Sequence, residues 1–132
     1  MKKPAVLPSN ILLDAVIKGL DDVKGHDIKI IDLSSIDNAM SAFFVIAHGN
    51  SQTQVAALSS SVEKVVKESI GEKPMSVQGL RNGEWAILDY FDVVVHVFHK
   101  DVRSRYALEE LWGDAEIRSY ESETPVTLEE QV

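Results

Sequence analysis

Histidine, serine and aspartate side chains in the middle of the chain are the groups that could do chemistry. His48–Ser51 reads His-Gly-Asn-Ser after an apolar run, where a helix can begin and its free backbone amides can hold a phosphate. Nucleotidyl transfer at such a Gly-Ser turn also needs metal-binding carboxylates at D-x-D spacing, and none follows. Asp89 and Asp92 could approach each other across a turn, but two carboxylates do not complete a two-metal site. A nucleotide-binding enzyme is therefore the weaker functional interpretation.

The remaining histidines do not suggest a metal site. His96 and His99 are three residues apart within a strand pattern, so their side chains point to opposite faces and cannot share a metal ion. The chain has no cysteine, which removes thiol catalysis and zinc-thiolate sites. It also lacks the G-x-S-x-G, G-x-G-x-x-G and Walker motifs. The sequence thus predicts no catalytic residue, no metal and no cofactor.

The charge balance favours a protein partner. The 132 residues carry 21 acidic and 13 basic side chains, which give a formal net charge of -8. Sequence-independent grip on a nucleic-acid backbone needs clustered lysine and arginine, so a basic protein is the more natural partner. The N-terminus has no apolar stretch long enough for a signal peptide or a membrane span, and we therefore expect a cytoplasmic protein.

Helical spacing of apolar residues predicts two long helices. The first runs from Ile11, with Ser9 or Asn10 as its N-cap and Gly25 as its stop. The second follows the S-x-x-Q capping box at residues 51–54 and ends at a glycine, residue 71. Between them, two short apolar runs rich in isoleucine and phenylalanine predict buried strands: Asp27–Leu33 and Phe43–Gly49.

The second half of the chain predicts a strand at residues 75–79, a hairpin, a third helix after Asp101 and an edge strand at residues 115–120. The acidic residues 121–132 predict a flexible tail, and residues 1–120 a single domain. Strands interleaved with three helices predict an α/β sandwich, with a mixed β-sheet and helices mainly on one face. The uncovered face is a candidate binding surface.

The run Trp85–Phe98 predicts a β-hairpin with its turn centred on Tyr90 and Phe91. That turn places Trp85 opposite His96. One face of the hairpin is then aliphatic and suits a covering helix, whereas the other carries the Trp, the His and two aspartates, as an interaction surface does. Core packing of Trp85 and His96 is an equally weighted alternative. A tight turn requires positive φ at Phe91, which is costly for a bulky residue, so a wider loop is an alternative.

Three segments resemble the Iojap-like ribosomal silencing factor family: "FFVIAHGNSQTQV", "GEWAILDYFDVVVHVF" and "RYALEELWGDA". They are similar to that family's F-V-I-A-x-G-x-S-x-x-Q-V, W-x-L-x-D-x-x-D-V-V-V-H-x-F and Y-x-L-E-x-L-W-x-D patterns, in the same order. The resemblance extends from about Asp27 to Ala115. The sequence departs from these family patterns at three places. Ala42–Phe43 stands where the family often has Asp-Tyr, Gln78 stands where it has Glu, and Phe91 stands where it commonly has Gly.

The resemblance implies a translational repressor with a nucleotidyltransferase-like fold that lacks catalytic residues. Members of the family bind large-subunit ribosomal protein fourteen on the large ribosomal subunit and block joining of the small subunit. An alternative is a module that only dimerises, because an exposed apolar sheet face can pair with the same face of a second copy. The sequence also leaves undecided whether the free protein is a homodimer. Together with the hairpin and the third helix, the resemblance nominates seven partner-binding residues: Trp85, Asp89, Tyr90, Asp92, His96, Arg105 and Tyr106.

Overall fold

The structure, a computed structural model, describes residues 6–106 and 115–120. None of the helices in these ranges is long and apolar enough to cross a membrane. The predicted tail, residues 121–132, lies outside the described residues. In chain order the elements are α1 (Val6–Asp22), β1 (His26–Asp32), β2 (Phe43–Gly49), α2 (Gln52–Ile70), β3 (Ser76–Gln78), β4 (Trp85–Asp89), β5 (Val93–His99), α3 (Lys100–Tyr106) and β6 (Glu116–Ser119).

The strands form one mixed sheet in the order β3-β4-β5-β2-β1-β6. Strands β2 and β5 are parallel neighbours, and the other pairs are antiparallel. Both central strands are nearly continuous apolar runs, as expected for strands covered on both sides. The predicted α/β fold with a mixed sheet is confirmed.

The two faces of the sheet are covered to different extents. Helices α1 and α2 pack on one face, here called the inner face, where the aliphatic side chains of β2, β4 and β5 join the main core. Helix α3 packs on the opposite, outer face, where Val102 contacts a smaller core around Ile46 and Phe98. The chain therefore leaves β2 toward the inner face and leaves β5 toward the outer face.

Helices α1 and α2 approach closely at Gly19. A Cβ atom there would lie 2.7 Å from the Cα of Val62, so only glycine permits this distance. The Ser61 hydroxyl donates to the Gly19 carbonyl oxygen at 2.7 Å across the same contact. This contact fixes the layer that buries the inner face.

The predicted start of α1 is wrong, whereas that of α2 is confirmed. Helix α1 begins at Val6, and Ser9 and Asn10 lie inside it rather than at a cap. Pro8 is tolerated because the N–H groups of a first helical turn have no partner within the helix. At α2, the Ser51 hydroxyl accepts from the Gln54 N–H, as the capping motif predicts.

The hairpin register differs from the prediction by two residues. Trp85 pairs with Phe98 instead of His96, because the turn is centred on Phe91 and Asp92, with the Tyr90 N–H donating to the Val93 carbonyl oxygen at 2.9 Å. A shift by an even number leaves every side chain on its predicted face. Phe91 does adopt positive φ, at 75°, a conformation that costs about 1–2 kcal/mol for a residue with a side chain.

Gly19→Ala should lower the stability of the protein. Alanine improves helix propensity by about 1 kcal/mol, but its methyl group would force the α1 and α2 backbones apart, at a cost of about 1–3 kcal/mol. We expect a net loss of up to about 2 kcal/mol in the free energy of unfolding, measured by urea denaturation. A variant as stable as the parent would show that the two helices can separate without cost.

Candidate functional site

The candidate site lies on the outer face, at the end of the sheet that carries β3 and β4. Alternation along the strands places five side chains here, which we call the outer patch: Phe44, Trp85, Ile87, Asp89 and Val94. All five are half-buried, whereas the inner-face side chains between them are buried. The outer patch therefore offers apolar and acidic groups that are partly accessible to a partner.

Trp85 is held in place by the aromatic side chains around it. Its indole N–H donates to Nδ1 of His96 at 3.1 Å, and its ring stacks on Phe98 with centroids 4.9 Å apart. His96 also meets the Phe44 ring at 4.8 Å. Trp85 is thus held by neighbouring side chains, as the core-packing interpretation predicts, and it is half-buried, so part of its side chain stays accessible.

His96 supports the outer patch from beneath. It is 6% exposed, and burial lowers its pKa from 6.5 to about 4, so the ring is neutral near pH 7. Because Nδ1 accepts from Trp85, the ring proton is on Nε2. Within the described ranges Nε2 has no hydrogen-bond partner. His96 orients the tryptophan.

Three other predicted residues, Asp89, Tyr90 and Asp92, lie at or beside the hairpin loop but do not share one face. Asp89 and Asp92 are half-exposed at the tip, where Asp89 accepts the Phe91 N–H at 2.8 Å. Tyr90 does not join them. It is 5% exposed on the inner face, where burial, and then the carboxylates of Glu63 and Glu72, raise its pKa above the ordinary range. Its prediction as a surface contact is wrong, because alternation from Leu88 turns it toward the helices.

Helix α3 carries the last two predicted residues and one that the sequence did not indicate. Arg105 is exposed, and Tyr106 is the last residue of α3. Arg103 is 7% exposed and ties α3 to the sheet, donating to the Asp27 carbonyl oxygen at 2.8 Å and lying 2.9 Å from Nδ1 of His48. An arginine two positions from Arg105 has no distinguishing sequence signal, so only the fold identifies this role.

The Gly-Ser turn does not form a nucleotide site with the carboxylates. The Asn50 N–H donates to Gln54 Oε1 at 2.8 Å, and the Gln54 N–H to Ser51, so both amides are already bonded within the chain. Asp89 and Asp92 lie at the opposite end of the parallel strands β2 and β5, about 20 Å away at 3.3 Å per residue. Within residues 6–106 and 115–120 no three His, Asp or Glu side chains could hold a metal ion.

The α/β sandwich also occurs in the solved structure of another protein, and the relatives of this chain share one family name. A crystal structure of a Chromobacterium violaceum protein matches with a TM-score of 0.73 and 38% identity, covering 77% of this chain and 83% of that one. Residues 7–131 match the family described as ribosomal silencing factor during starvation. The chain belongs to this Iojap-like ribosomal silencing factor family, as its three motifs predict.

Two relatives show the range of the similarity. The ribosomal silencing factor RsfS of Halalkalibacterium halodurans is 40% identical over 104 residues, which cover 79% of this chain and 87% of that protein. The chloroplastic protein Iojap of Arabidopsis thaliana is 31% identical over 98 residues, which cover 74% of this chain and 40% of that protein.

Protonation of His96 should make the protein less stable in acid. The unfolded chain binds this proton at the ordinary pKa of 6.5, whereas the folded chain binds it only near 4. Stability is therefore lost as the pH falls from 6.5 toward 4, by about 2–3 kcal/mol in total.

His96→Asn, whose side-chain oxygen can accept from the Trp85 indole, removes this titration but leaves every other one in place. The loss of unfolding free energy between pH 7 and 4.5, measured in urea, should be smaller in the variant by about 2 kcal/mol. Equal losses in both proteins would mean that His96 is protonated without disturbing the fold.

Proposed function

We propose that this protein silences ribosomes by binding the large ribosomal subunit through large-subunit ribosomal protein fourteen and by sterically blocking the joining of the small subunit. The observation that carries the proposal is the outer patch, a partly exposed apolar surface with carboxylates beside it, in a member of the ribosomal silencing factor family. Such a surface suits a partner that combines apolar side chains with positive charge.

The rigidity of the outer patch favours binding without rearrangement. Trp85 is fixed by its hydrogen bond to His96 and by its stack on Phe98, so little side-chain entropy is lost when a partner covers it. The net charge of -8 adds long-range attraction to a basic ribosomal protein. The aromatic anchor supplies affinity, and the carboxylates supply association rate and orientation.

A complete interface must extend beyond the outer patch. A standard interface buries about 800 Å² on each partner, more than five half-buried side chains provide. The hairpin tip with Asp92 and the exposed Arg105 on α3 flank the patch at its two ends. We place both, together with Tyr106, in the contact. The repression is steric, because it needs only a bound domain where the small subunit must approach.

Trp85→Ala combined with Asp89→Lys should abolish binding, but it also removes a ring that stacks on Phe98. Val94→Lys separates binding from folding more cleanly. Val94 is half-exposed at the centre of the outer patch and opposite Asp89, which can pair with a lysine. Glu68→Lys on the exposed side of α2 serves as the control, because it makes the net charge more positive by two units, against one for Val94→Lys, at a position away from the patch.

In cosedimentation with isolated large subunits, Val94→Lys should weaken binding at least tenfold, a cost of about 1.4 kcal/mol or more, because the lysine neutralises Asp89 and replaces an apolar side chain in the contact with a basic partner. Glu68→Lys should bind as the parent does. In parallel, the parent protein added to separated subunits should lower the fraction of joined ribosomes. Unchanged joining at saturating protein would reject the proposal.

As part of the same proposal, the protein acts in the cytoplasm and can self-associate when it is not bound to a ribosome. Because the outer patch is partly apolar, two copies could cover it mutually when no ribosome is bound. Such a homodimer would compete with the ribosome, so the Val94→Lys variant should then also be monomeric. Sedimentation velocity distinguishes the two states.

A further inference from the structure

Three large apolar side chains are exposed at one end of the sheet. Met40 is 83%, Met75 70% and Phe91 55% exposed, although they come from three separate segments of the chain. We call this group the apolar tip. An exposed methionine or phenylalanine alone needs no explanation, but three at one location do.

Backbone hydrogen bonds bring the three segments together. The Met75 N–H donates to the carbonyl oxygen of Asp89 at 2.6 Å, two residues before Phe91. The Ala42 N–H donates to the carbonyl oxygen of Asp92 at 2.7 Å, which places the loop that carries Met40 beside the hairpin tip. The three segments that carry the apolar tip therefore meet at one end of the sheet, where β4 ends and β5 begins, beside Asp89 of the outer patch.

Phe91 occupies a position that the fold does not favour for it. Its φ of 75° is left-handed, a conformation that suits glycine or asparagine, yet the side chain points into solvent and not into the core. A strained residue that gains little from burial in its own chain indicates that the side chain serves another purpose.

The surroundings of the apolar tip indicate the chemistry of its partner. Asp89, at the end of β4, and Asp92, in the hairpin loop, flank Phe91 and are half-exposed, and Asp37 is exposed on the loop that carries Met40. An apolar group flanked by carboxylates is complementary to an apolar side chain flanked by lysine or arginine. Methionine side chains can adapt their shape to such a partner.

We propose that the apolar tip is a second anchor, in which Phe91, Met40 and Met75 receive an apolar side chain from a basic segment of the ribosomal partner. This inference rests on the proposed function and deepens it: the outer patch supplies the rigid contact, and the tip extends the same interface past the sheet. Phe91 is the specificity-determining residue of this extension.

Phe91→Asn tests the proposal because asparagine tolerates left-handed φ but has no apolar surface. In cosedimentation with isolated large ribosomal subunits, the variant should bind about tenfold more weakly than the parent. Its melting temperature should be equal to or higher than that of the parent, because the strain is relieved. A purely structural role for Phe91 would lower the melting temperature instead.

Ile11→Gln is the matched control. Ile11 is 51% exposed on α1, which contributes no residue to the tip and lies in the layer that covers the inner face, so the change removes a similar apolar group outside the tip. The control should bind as the parent does. Adding Met40→Ser and Met75→Ser to Phe91→Asn should weaken binding further.

The outcomes separate this inference from the proposed function. If the parent binds and Phe91→Asn binds equally well, the apolar tip is not an anchor, and the proposed function stands. If the parent fails to bind large subunits, both are overturned. If Phe91→Asn leaves ribosome binding unchanged but dissociates a dimer in sedimentation velocity, the tip receives a second copy of this chain, which also overturns the proposal.

Discussion

The parallel pairing of β2 with β5 is the constraint on which the rest of the structure depends. Both strands are apolar along their whole length and must be covered on two sides. Because α2 leaves β2 toward one face and α3 leaves β5 toward the other, the described residues cover the two faces unequally: α1 and α2 lie on the inner face, and α3, described as far as Tyr106, lies on the outer face. The outer patch is the part of the sheet that this unequal cover leaves accessible.

Short local patterns in the sequence were enough to predict the strands, the second helix and the composition of the two hairpin faces. Apolar runs identified β1 and β2, and the Ser51 cap identified the start of α2, because both signals are contained within a few residues. The faces were predicted although the register was wrong, since a shift of two residues preserves the alternation. A shift of one would have exchanged Trp85 for Ala86 on the outer face.

Other features could not be predicted because they depend on contacts distant in sequence. The side of the sheet that Tyr90 joins depends on the position of the turn centre, since Tyr90 continues the alternation of β4 and its N–H donates to the Val93 carbonyl oxygen. The role of Arg103 arises only when α3 meets the carbonyl oxygen of Asp27, which is 76 residues away in sequence. The start of α1 was missed because a serine and an asparagine in its first turns resemble a cap. The motifs identified the family, and for the motif residues that the structure describes, burial separates those that pack in the core from those that reach the surface.

The short outer strands have a consequence for how the protein can associate. β3 has three residues and β6 has four, and each ends the sheet with a row of backbone groups too brief to template another strand. An acidic protein with a partly exposed apolar face risks uncontrolled polymerisation if strands of other copies can also add to the edges of its sheet. In the part of the chain that the structure describes, the short edge strands β3 and β6 disfavour that route.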